Sequence, residues 1–63
     1  MRIEVWTEPR PDGGIRVWSN DLPGLILSGP DRAKVLADIE PAARFLLHKR
    51  GVDTSGLKIV VKD

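Results

Sequence analysis

Few side chains in this chain are equipped for catalysis, and their spacing keeps them apart. His48 is the one histidine and there is no cysteine, whereas a nucleophile needs an adjacent base and a metal needs several ligands at workable spacing. Asp38 and Glu40 are two residues apart in a helical stretch, so they do not share a face. Glu4, Asp12 and Asp21 fall on a strand, in a turn and in a loop, and two-metal hydrolysis needs several acids that converge. Gly13-Gly14 is not followed directly by a helix, so it reads as a turn and not as a phosphate cradle. Arg44, His48, Lys49 and Arg50 cluster at one helix end. Positive charge there answers the helix dipole, and the alternative, contact with nucleic acid, would show itself as steep salt dependence. The chain is therefore read as a non-enzyme with no cofactor and no metal.

Trp6 and Trp18 offer recognition instead. Two large aromatics on an otherwise polar strand face expose apolar area of the kind that marks an interface. The competing reading is a cross-strand pair that stabilises a hairpin by about 0.5–1.5 kcal/mol beyond its burial, with Arg2 or Arg16 stacked on the rings. Arg16 and Glu4 share that face, so Trp6, Trp18, Arg16 and Glu4 are the expected partner-binding set. An exposed strand edge is the second candidate, because main-chain hydrogen bonds across an edge let small sheets associate.

The elements that must position these residues follow from periodicity. Arg2 to Glu8 alternates, with Ile3, Val5 and Thr7 on one face, and Ile15 to Asn20 alternates in the same way with Ile15, Val17 and Ser19 inward. Pro9-Arg10-Pro11-Asp12-Gly13-Gly14 separates them as a turn. A loop of Pro11-Asp12-Gly13 sets Val5 against Ser19, Thr7 against Val17 and Trp6 against Trp18. Pro23-Gly24 suits a type II turn, and Leu25-Ile26-Leu27 then reads as a short buried strand. A helix is expected from about Pro30 to Arg50, capped either by Ser28 with Asp31 or by Gly29 with Pro30 in the first turn. Its stripe of Val35, Leu36, Ile39, Ala42, Ala43, Leu46 and Leu47 covers the inward sheet face. Pro41 predicts a kink or a break near Glu40, and Gly51 can stop the helix in a left-handed conformation. Leu57 to Lys62 reads as a last strand whose Lys58 and Lys62 protect an edge. The fold class is α+β, in the order β-β-β-α-β, an antiparallel sheet with one helix on one face, in a single domain over residues 1–63.

Size and charge limit the rest. A chain of 63 residues buries only about 60% of the surface it exposes when unfolded. With no disulfide available, self-association, in the simplest case a homodimer, is its expected support. Ten Lys/Arg against nine Asp/Glu leave a net charge of +1, which makes no electrostatic case for nucleic acid or a membrane surface. No apolar run reaches the roughly 18 residues of a membrane span, and Met1-Arg2-Ile3-Glu4 lacks the pattern of a signal peptide, so a cytoplasmic protein is expected.

The ordered set of an N-terminal strand, Asp12-Gly13-Gly14, the run Val17-Trp18-Ser19-Asn20-Asp21-Leu22-Pro23-Gly24-Leu25, and Ser28-Gly29 before a helix resembles the HicB-like antitoxin domain. It covers roughly residues 2–50. The resemblance implies a degraded RNase H-like domain that binds a small protein partner, a HicA-like ribonuclease toxin, and masks its active site, the chemistry belonging to the partner. Members of that family usually add a C-terminal ribbon-helix-helix or helix-turn-helix segment. Here the sequence closes at Asp63, so no direct DNA binding is expected. Leu25 and Pro30-Asp31 depart from the family's usual residues at those places.

Overall fold

Alternation over the first eighteen residues becomes a hairpin. In the computed structural model, which describes residues 1–63, β1 (Arg2–Pro9) pairs antiparallel with β2 (Ile15–Trp18). Trp6 lies opposite Trp18 and Thr7 opposite Val17, the register that a three-residue loop dictates. The ladder stops at Trp18, short of the expected Asn20, because side chains replace main chain beyond it. The Ser19 hydroxyl donates to the Glu4 carbonyl (2.7 Å), and the Asp21 carboxylate accepts from the Glu4 N–H (2.8 Å).

The Leu25 N–H donates to the Leu22 carbonyl (3.1 Å) across a turn in which Gly24 has φ +97°, as a type II turn at Pro23-Gly24 requires. β3 (Ile26–Gly29) then runs antiparallel to β2 at one edge of the sheet. The expectation of a wholly buried strand is corrected there. Leu25 is buried and Leu27 half-buried, but Ile26 turns to the opposite face and is 70% exposed.

The helix α1 (Arg32–Lys49) is shorter than Pro30 to Arg50, and neither Ser28 nor Gly29 caps it. Asp31 does, its carboxylate accepting from the Lys34 N–H (3.2 Å), so Pro30 lies outside the first turn. Pro41 does not break the helix. It shares an exposed face with Ala37, where the carbonyl that Pro41 cannot bond is open to water. At the other end, Val52 N–H bonds to Leu47 O and Gly51 N–H to His48 O, both at 3.0 Å, with Gly51 at φ +73°. That is the Schellman pattern.

β4 (Lys58–Lys62) lies parallel to β1, which makes the sheet mixed and not antiparallel, in the order β3-β2-β1-β4. Chain direction is the reason. β3 runs the same way as β1, and α1 carries the chain back to the end from which both start, so the next strand beside β1 must run with it. Val35, Ile39, Ala43 and Leu47 meet Ile3, Val5, Ile15 and Val17, with Leu22 and Leu25 closing the core. α1 lies over β3 and β2. Further along the sheet cover is thin: Ile59 is half-buried and Val61 is 51% exposed.

Candidate functional site

Pairing of the four strands aligns Ile26, Trp18, Trp6 and Lys62 in one row across the sheet. Paired residues project to the same side, and this row faces away from the helix-covered core. Ser28, Arg16 and Glu8 form the neighbouring row on one flank, and Glu4 with Val60 lies on the other. The four expected residues Trp6, Trp18, Arg16 and Glu4 therefore share this uncovered face. Both indole rings are half-buried, and Ile26 is the most exposed apolar side chain of the row.

Cations account for part of that cover. The Arg16 guanidinium stands 5.5 Å from the centre of the Trp18 ring and the Lys62 ammonium 5.7 Å from that of Trp6. Arg2 does not stack on a ring; it pairs with Glu4 at 3.2 Å. Glu4 also holds Lys62 (3.0 Å), and Glu8 holds Arg16 (2.9 Å). Exposed pairs of this type are worth about 0–1 kcal/mol each, so they orient the cations without fixing them. Arg16, Trp18 and Ile26 enclose a shallow hollow of about 290 Å³. Ile26 and Lys62 were not among the expected site residues. Inward Leu25 and Leu27 were the signal for Ile26, whereas Lys62 reaches Trp6 only through a pairing between the two ends of the chain.

Several of the other polar residues hold the fold together. The Arg44 guanidinium donates to the Thr54 carbonyl and hydroxyl (both 3.2 Å), and His48 Nε2 lies 3.0 Å from the same hydroxyl. Arg50 donates to the Pro23 carbonyl. Arg44, His48 and Arg50 thus tie the helix end to two loops, in addition to lying near its negative pole, whereas Lys49 stands over the Phe45 ring of the same helix. Glu40 pairs with Arg44 at 3.5 Å, and Asp12 accepts from the Gly14 N–H (3.0 Å) and pairs with Arg10 (2.9 Å). Asp53 accepts from the Ser55 N–H at 2.9 Å. This bond, the Ser55 hydroxyl and to a lesser degree His48 hold its carboxyl below the ordinary aspartate value of 3.8. No three His, Asp or Glu side chains converge into a group that could hold a metal ion, and no helix is long and apolar enough to cross a membrane.

No family model, curated protein or solved structure matches this chain, so the site is characterised by its own geometry.

Proposed function

We propose that the chain is a non-enzymatic protein-binding module whose open sheet face takes a protein partner. The observation that carries this reading is the uncovered row Ile26, Trp18 and Trp6, flanked by Arg16, Glu4 and Lys62. Trp and Arg supply much of the affinity at protein interfaces when a partner excludes water from them, and the weak ion pairs around them give way at small cost. The β-β-β-α-β order is also the order implied by the HicB-like resemblance. On that footing the partner is a small HicA-like ribonuclease toxin, met in the cytoplasm, whose active site this face masks.

The test is capture from the native cell with the tagged chain and with a Trp6→Ser/Trp18→Ser variant, analysed by mass spectrometry. The native chain should recover a small basic ribonuclease. Loss of two anchors worth about 2 kcal/mol each should lower capture by well over tenfold. Equal recovery by both chains, or recovery of no such ribonuclease, refutes the antitoxin reading. The free edge of β4 favours a second reading, a self-associating structural domain with no toxin partner.

A further inference from the structure

A second apolar surface lies on the helix side of the sheet, opposite the tryptophans. Ile59 and Val61 are in register with the core residues Ile3 and Val5 and so face the helix side, yet α1 sits over β3 and β2. With Leu36 and Ile39 they line a groove of about 530 Å³, with Glu40 at its rim. β4 is also an edge of the sheet. Lys58 N–H donates to the Met1 carbonyl (2.8 Å), and the Lys62 carbonyl accepts from the Thr7 hydroxyl (3.0 Å), so these residues turn their peptide groups toward β1. Alternation along a strand then aims the N–H and C=O groups of Ile59 and Val61 out of the sheet.

We infer that this edge binds a second copy of itself, β4 antiparallel to β4 about a two-fold axis, continuing the sheet and joining the two grooves. The proposal is independent of the reading of the aromatic face. A two-fold contact must be self-complementary, and charge selects among the possible registers. Centred on Val60, the pairing sets Lys58 against Lys62 of the second copy at both ends, and like charges directly opposite are unfavourable. Centred on Val61, it sets Ile59 against the Asp63 carboxylate on the apolar side. Centred on Ile59, it sets Ile59 against Ile59 of the second copy, Lys58 against Val60, and Val61 beside Leu57. Leu57 is the residue just before β4, and its N–H is held by the Thr54 carbonyl (3.1 Å), so it adds apolar contact and not a full pair of ladder bonds. In this register the apolar row is unbroken and no lysine faces a lysine. The lysines that blunt the edge toward other strands thereby fix how it meets its own copy.

The test is solution mass by sedimentation equilibrium from micromolar to millimolar chain, with three cysteine variants oxidised in parallel, the native chain having no cysteine. The native chain should reach twice the single-chain mass. Val61→Glu, at a position exposed in the monomer, should keep the helical circular dichroism and sediment as a single chain. At the two-fold position the Cα separation of a hydrogen-bonded antiparallel pair, about 5.5 Å, lies inside the disulfide range of about 4.4–6.8 Å. Ile59→Cys should therefore form a covalent dimer faster than Val60→Cys or Val61→Cys. A single-chain mass throughout overturns the proposal, as does a dimer that survives Val61→Glu but is dissolved by Trp6→Ser/Trp18→Ser. Faster crosslinking of Val60→Cys or Val61→Cys overturns the register.

Discussion

Replacing Ser19 by Ala tests how β1 is held where β2 leaves it. Glu4 directs its peptide N–H and C=O toward β2, but there it meets the Asp21 carboxylate at 2.8 Å and the Ser19 hydroxyl at 2.7 Å. Ser19 is 7% exposed, but Glu4 is half-buried and the bond part-buried. Water therefore partly replaces the lost hydroxyl, and the cost falls toward the low end of the about 1–3 kcal/mol of an unsatisfied buried acceptor. Asp21 is exposed, and Asp21→Asn keeps an acceptor oxygen while losing the charge. Charge-assisted bonds are roughly twice as strong as neutral ones, so that variant should cost about 0.5–1 kcal/mol. Against a total stability of roughly 3–9 kcal/mol for a chain of this length, both shifts are measurable as changes in urea midpoint at constant slope. The two substitutions act on one residue's peptide groups and should not be additive in the double variant. Amide exchange gives a local check, since Asp21→Ala should expose the Glu4 amide selectively. A Ser19→Ala variant within about 0.3 kcal/mol of the native chain, or a Glu4 amide indifferent to Asp21, would refute this account of where the hairpin ends.

Three further outcomes are expected. Gly14→Ala should destabilise by about 1–3 kcal/mol in urea titration, because its Cβ would stand 2.0 Å from the Gly29 carbonyl oxygen and 2.7 Å from the Pro30 Cα, both main-chain atoms; an unchanged midpoint would contradict this close approach of the turn before β2 to the end of β3. Pro41→Ala should raise the thermal midpoint, since the helix regains a hydrogen bond and loses a ring clash of roughly 3 kcal/mol, against about 0.4–1 kcal/mol from greater unfolded-state freedom; a lower midpoint would show that the helix accommodates proline without cost. The Asp53 carboxyl is lowered in the folded chain, so its contribution is complete above the ordinary value of 3.8 and is lost as pH falls through the lower folded value; Asp53→Asn should flatten the stability profile in that acid window, and an identical profile would contradict the Ser55 contact.

Local periodicity carried much of this architecture. Two alternating runs and a three-residue loop are enough to set Trp6 against Trp18, and spacings of three and four place Val35, Ile39, Ala43 and Leu47 on one helix face. What escaped prediction depended on long-range pairing or on competition between similar local signals. Ser28, Gly29 and Asp31 are all good caps, and which one serves depends on where β3 releases the chain. Parallel and antiparallel strands share a period of two, so the direction of β4 follows from the path of the helix and not from the pattern of Leu57 to Lys62. In Leu25-Ile26-Leu27 an unbroken apolar run concealed an alternation, and Ile26 faces outward. Ser19 and Asp21 look like strand end and loop until Glu4 is placed beside them.

The two uncovered surfaces have a common geometric origin. An α-helix is about 10–12 Å across with its side chains, while neighbouring strands lie about 4.8 Å apart. One helix therefore covers little more than two strands at a time, and this sheet has four. Because α1 enters from β3, it settles over β3 and β2 and leaves the inner side of β4 thinly covered. The other side of the sheet has no covering layer, and there the chain uses charged stems over Trp6 and Trp18 in place of one. Ile59 and Val61 face the helix side, whereas Trp6, Trp18 and Ile26 face away from it. An occupant of one surface does not displace an occupant of the other. Pairing through β4 in the inferred register would set both aromatic faces on the same side of one continuous sheet, so self-association and capture of a separate partner are compatible uses of a single small domain.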